Sequence, residues 1–167
     1  MCIPSDHVKP SSGLVGVGYQ GASLDDFVTR LINANIATLV DVRLNAISRR
    51  KGFSKTLLAS TVRAAGIEYR HLRVLGNPPA NRAGFSDNTG AAGRLARQRY
   101  GHLLTQPEAV EALCTLSTLG QGQRVAVMCF ESDETSCHRS IVLQRVAEIA
   151  GLSGQNRGSA AASKALG

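Results

Sequence analysis

Short apolar runs alternate along the chain with longer stretches in which apolar residues recur every three or four positions. The first run, GLVGVG at 13–18, is Gly- and Val-rich and ends in a turn, as a buried strand does when it feeds a helix. Ser23 then precedes Leu24, Phe27, Val28, Leu31 and Ile32, one helical stripe, with Asp25 and Asp26 placed to favour its N-terminus and an end expected near 33–35. IATLVDVR at 36–43 reads as a second buried strand, and 54–65 as a second amphipathic helix stopped by Gly66. IEYRHL at 67–72 makes a third strand. Such a β-α-β-α-β alternation implies parallel strands joined by right-handed crossovers.

The periodicity then breaks. Pro, Asn and Gly at 73–90 predict a long irregular loop, followed by a basic helix over 91–104. Thr105 and Glu108 form a capping-box pattern for a helix over 107–119, with Cys114 assigned to its buried stripe. QRVAVMCF at 123–130 is the fourth strand, and Ser136 or Cys137 opens a last helix carrying Ile141, Val142, Val146 and Ile149. The pattern predicts one α/β domain over 13–150: a single-domain, three-layer, Rossmann-like sandwich with a four-stranded, mainly parallel sheet in the order 3-2-1-4. Residues 1–12 are expected to be a flexible N-terminus and 151–167 a disordered tail.

Charge sharpens this picture. The whole chain carries +7, but residues 43–99 hold twelve basic side chains against Glu68 and Asp87, a net of +10. A field of that sign attracts an anionic small molecule or nucleic acid. No run approaches the roughly 20 apolar residues of a membrane span, so no membrane partner and a cytoplasmic location are expected. Four irregularly spaced cysteines are not a disulfide framework. Oligomeric state leaves no trace in the sequence.

The chemically unusual residues fall at strand ends. Gly18 and Tyr19 follow the first strand, Asp41 and Arg43 close the second, His71 the third and Cys129 the fourth. In an open parallel sheet that edge is where ligands bind. GVGYQG is too short a match to a dinucleotide fingerprint to imply a cofactor, and none is expected. Arg43 is either the partner of Asp41 or, with Arg49 and Arg139, a holder of an anion.

The loop MCFESDETSCHRS at 128–140 has more than one reading. Cys129, Glu131, Cys137 and His138 are zinc-ligand types, yet C-x7-C is not a tight knuckle and the adjacent Cys137 and His138 are expected to diverge, so no metal is assigned. A thiol nucleophile fits the pattern better: Cys137 near a helix N-terminus, or Cys129 at a strand end, with His138 or His71 moving the proton and Glu131 alongside. Against both stands a purely structural loop, so whether the protein is an enzyme stays open.

Taken together, GVGYQGASLDDF, LVDVRLNAISRRKGFSKTLLASTVRAAGIEYRHLRVLGNP and VMCFESDETSCHRSIV resemble the domain of unknown function 488 family over about residues 13–150. The resemblance rests most on C-x-E-x5-C-H-R. It implies a compact α/β protein, mostly bacterial or archaeal, with no assigned activity. By motif the family signature falls on Gly18, Tyr19, Asp41, Arg43, Ser48, Arg49, Gly52, Phe53, His71, Leu75, Gly76, Cys129, Glu131, Cys137, His138 and Arg139. Gln20 and Ala46-Ile47 depart from its usual pattern.

Overall fold

The computed structural model describes residues 13–162, with side chains to residue 151. The expected N-terminal segment 1–12 and the last five residues lie outside the described residues. Four strands, β1 (Gly13–Gly18), β2 (Thr38–Asp41), β3 (Glu68–His71) and β4 (Arg124–Cys129), form one all-parallel sheet. Helices α1 (Leu24–Asn33) and α2 (Lys55–Ala64) join the first three strands. Helices α3 (Pro79–Arg82), α4 (Ala91–Leu103) and α5 (Pro107–Gly122) lie between β3 and β4, and α6 (Arg139–Ala162) follows β4. Among the described residues no helix is long and apolar enough to cross a membrane.

The sheet order is β1-β4-β2-β3, not the expected 3-2-1-4: the fourth strand inserts between the first two. Burial explains the placement. Residues 125–129 of β4 are all buried, as suits a strand covered on both faces and paired on both sides, whereas residues 13–17 of β1 are only half-buried and alternate residues of β3 are exposed. Alternation along β2 and β4 then separates two cores. Leu39, Ala126 and Met128 pack against Phe27 and Leu31 of α1 and Leu58 and Val62 of α2. Val40, Val125 and Val127 pack against Tyr100 of α4, Leu113 and Leu116 of α5, and Val142 and Val146 of α6. The result is the expected three-layer sandwich.

Several local features follow the sequence closely. Ser23 caps α1, its hydroxyl accepting the Asp26 amide at 3.1 Å, and Gly66 ends the turn after α2 with φ of 79°. Others differ. The 73–90 segment is broken into short turns, 3-10 at Arg73–Leu75 and Ala83–Ser86 around α3, because Pro79 fits the first turn of a helix. Thr105 makes no capping box. Pro107 sets the start of α5, Gln106 takes the cap position, and the Thr105 hydroxyl donates to the His102 carbonyl at 2.7 Å. Cys114 is exposed rather than core, since Ala109, Ala112, Leu113 and Leu116 form the buried face and place Val110 and Cys114 beyond its margin. The α6 backbone runs past Gly151 to Ala162, into the segment expected to be a tail, through a stretch that contains no helix-breaking proline.

These placements are testable. Leu39→Ala, at a side chain with no exposed surface, is expected to lower unfolding free energy in urea by about 2–5 kcal/mol. Cys114→Ser should change it by less than about 0.5 kcal/mol, and a loss of core size there would contradict the exposed placement.

Candidate functional site

Parallel register brings the strand ends to one edge: Gly18 pairs with Cys129, and Asp41 pairs with Met128 on one side and His71 on the other. The chain leaves β2 toward the α1–α2 face and β4 toward the opposite face, so a crevice opens between these neighbours. In the expected order 3-2-1-4 the crevice would lie between the first and fourth strands instead. A cavity of about 460 Å³ occupies the position, and Tyr19, Arg43, Arg49, Cys129, Glu131 and His138 are among its lining residues.

One wall is built on a buried ion pair. Asp41 has no exposed surface and Arg43 is almost as buried. The guanidinium grips the carboxylate with both Nη2 (2.6 Å) and Nε (2.9 Å), and Nη1 donates to the Tyr19 hydroxyl at 2.9 Å and the Phe53 carbonyl at 2.8 Å. The Tyr69 hydroxyl donates to the same carboxylate at 2.7 Å. Burial, with the neighbouring Asp41 charge, pushes Tyr69 well above the usual phenol range. Tyr19 stacks on Phe53 with centroids 4.3 Å apart. Arg43 is therefore committed to structural partners on every nitrogen of its guanidinium.

The backbone after Asp41 orients two imidazoles. His71 Nε2 donates to the Arg43 carbonyl at 2.8 Å, and His138 Nε2 donates to the Val42 carbonyl at 3.0 Å. A carbonyl only accepts, so Nε2 carries a proton and Nδ1 is turned toward the sulfurs of Cys129, 3.8 Å away, and Cys137, 3.9 Å away, as an acceptor on a neutral ring and as a donor to a thiolate on a protonated one. Cys137 and His138 do not diverge as adjacent side chains were expected to. The chain turns between β4 and α6, and both side chains meet Cys129 at the strand end.

The two buried thiols titrate as a pair. Cys137 is pushed down to about 6, chiefly by the hydrogen bond from Cys129 and then by His138, against the opposing effect of burial. Cys129 is pushed far above the ordinary thiol range by its bond to Cys137 and by burial, because its ionisation would set a second anion beside the first. Glu131 adds negative charge that opposes both ionisations. Its Oε2 is buried with no hydrogen-bond partner.

Arg139 stands elsewhere. Buried at 1% exposure, it donates to the Glu131 carbonyl at 2.7 Å and the Ser132 carbonyl at 3.4 Å and pairs with Glu134 at 3.4 Å, holding the loop rather than facing the cavity. Gly18 gives that loop room: a Cβ there would run into the Glu131 carbonyl, and one on Gly16 into the Glu134 carboxylate. The turn after β1 is not an open anion cradle, since the Gln20 amide donates to the Phe130 carbonyl at 2.9 Å. Asp41 and His71 support the site from behind, and Cys137 sits under Cys129 and His138.

Sequence reasoning did not single out Arg50, Arg82, Asn77 and Phe85, and read Ser136 only as a helix start, yet all five also line the cavity. The excess of basic residues contained Arg50 and Arg82, but only the tertiary path brings them to β4. Arg97 closes the outer side, donating to the Phe85, Asp87 and Thr135 carbonyls and to Asn88, and so fastening the 73–90 segment to the β4–α6 loop.

A family model described as "Domain of unknown function DUF488" matches residues 23–146, about three quarters of the chain. The match spans β2 to β4 and includes Asp41, Arg43, Cys129, Cys137 and His138. No curated protein and no solved structure was found to be similar to the chain.

Two measurements check this geometry. Asp41→Asn, which leaves Arg43 buried without a counter-charge, should cost about 3–5 kcal/mol in denaturant unfolding, and Tyr69→Phe only about 1 kcal/mol. In chelator-treated protein, Cys137 should be a thiolate above pH about 6, so buried-thiol alkylation should fall off as pH drops through that value. A midpoint near the ordinary ~8.5 would contradict the paired-thiol arrangement.

Proposed function

The chain belongs to the DUF488 family, and on that footing we propose that its cavity between β2 and β4 binds an anionic, phosphate-bearing ligand and presents it to the cysteine–histidine cluster for thiol-dependent chemistry. The observation that carries this reading is the convergence of three exposed arginines, the buried Cys129 thiol and His138 on one cavity. Among the described residues Arg49 has no hydrogen-bonding partner, while Arg50 and Arg82 are anchored only through Nε, to the Ala22 carbonyl at 2.6 Å and the Asn77 carbonyl at 3.1 Å. Their terminal nitrogens are left to recognise an anion. Glu131, which lines the same cavity, repels negative charge, so the arginines rather than the Glu131 carboxylate hold the anion.

Cys129 lines the cavity, so it is the sulfur that meets the ligand. Its proton passes to the Cys137 thiolate as the Cys129 sulfur attacks the electrophilic atom of the ligand, and Nδ1 of His138, which faces both sulfurs, relays that proton as an imidazolium to the leaving group. The Val42 carbonyl stabilises the imidazolium by keeping its Nε2–H bonded throughout.

A specific observation also favours nucleic acid as the source of the phosphate. Of the twelve basic residues between 43 and 99, all but Arg43 and Arg97 are exposed. Nucleic-acid binding of this kind weakens steeply with salt.

Iodoacetate and iodoacetamide differ in charge but not in leaving group, so their relative rates at Cys129 read the cavity's preference. The wild-type ratio should favour the anionic reagent. Combined Arg49→Ala and Arg82→Ala should reduce that ratio at least about tenfold, and phosphate should compete. An unchanged ratio, with no calorimetric binding of phosphate, pyrophosphate or a short oligonucleotide, would refute the anion site.

A further inference from the structure

We propose that Cys129, Cys137 and His138 form a binding site for a thiophilic divalent cation of the zinc class, with three protein ligands and a fourth position open to the cavity. This goes beyond the anion site, which stands on the arginines and does not require a metal.

The donor set carries the argument. The two sulfurs and Nδ1 of His138 all lie within 4.8 Å of one another, and all three residues are buried. With Zn–S of about 2.3 Å and Zn–N of about 2.0–2.1 Å, a tetrahedral centre separates sulfur from nitrogen by about 3.6 Å. The observed separations are 3.8 and 3.9 Å. Each sulfur therefore stands within a few tenths of an ångström of the separation from Nδ1 that a shared cation requires, and the two sulfurs lie within 4.8 Å of each other.

The surroundings supply a second, independent observation. His138 gives its Nε2–H to a backbone carbonyl, the outer contact that selects the tautomer with Nδ1 free for a metal. That carbonyl belongs to Val42, between the members of the buried Asp41–Arg43 pair, so the ring is held by rigid backbone. Cys129, His138 and Glu131 reach the cavity while Cys137 lies behind, so the open position faces the space where a ligand enters. Glu131 brings a buried, unpartnered Oε2 to the same space, an acceptor for the proton of a metal-bound water. Sulfur and imidazole donors suit zinc rather than magnesium or calcium.

On binding, the cation takes the Cys137 thiolate, displaces the Cys129 proton to solvent and takes the Nδ1 lone pair. Two thiolates neutralise its charge, and the fourth position carries water or an anion. The metal-free pair and the loaded centre are then alternative states of the same sulfurs: the first has a nucleophile, the second a Lewis acid.

The test uses the full chain purified without chelator, then saturated with zinc or with cobalt(II) and desalted. Elemental analysis should give one equivalent of zinc, and the cobalt form should show a thiolate-to-metal charge-transfer band. Cys129→Ser and Cys137→Ser should each weaken zinc at least about tenfold in chelator competition, with Cys114→Ser unchanged. Should a serine variant fail to fold, wild-type alkylation replaces it: zinc should protect Cys129 and Cys137 and leave Cys114 reactive. Less than a tenth of an equivalent of zinc, absence of the cobalt band, or equal alkylation with and without zinc would overturn the site. The iodoacetate-to-iodoacetamide ratio, measured in metal-free protein, reports separately on the anion cavity, so either reading can fail alone.

Discussion

The ion pair between Asp41 and Arg43 is the constraint on which the rest of the site depends. Removing two charges from water is costly, and their attraction offsets that cost only when geometry is good and every remaining donor and acceptor is used. Here the pair is bidentate, and Tyr19, Tyr69 and the Phe53 carbonyl take up the other bonding positions. The consequence reaches beyond the pair itself. With side chains 41 and 43 fixed, the carbonyls of Val42 and Arg43 point in set directions, and these two carbonyls aim His138 and His71.

Around that anchor one cavity gathers opposite chemistries from distant parts of the chain. Exposed arginines line it together with the Cys129 sulfur and Glu131. The buried Arg43 contributes little to the attraction of an anion because its charge is already matched by Asp41. Arg139 is similarly spent on the loop carbonyls that keep Cys137 and His138 in place.

Much of the fold was legible from periodicity. The four strands, the α1 cap at Ser23 and the amphipathic helices follow from local patterns because burial of one face and saturation of helix ends are local requirements. Cys114 shows the limit. Its spacing fits an apolar stripe, but a helix seated on its alanines and leucines leaves the margin of that stripe in water. Strand order was likewise hidden, since β1 and β4 are both short apolar runs and differ only in how much side chain each offers to two covering layers.

The sequence by itself determined that chemistry would gather at the carboxyl edge of a parallel sheet, because alternating strands and helices send Tyr19, Arg43, Cys129 and His138 to that side. Tertiary structure alone decided which of these face one another. Inserting β4 beside β2 carried Cys129 to the Val42–Arg43 backbone, and the loop resting on Gly16 and Gly18 folded Cys137 and His138 back onto it. Spacing along the chain argued against a shared Cys-Cys-His cluster. The distances between atoms were set by packing and by one backbone carbonyl, neither of which a linear interval records.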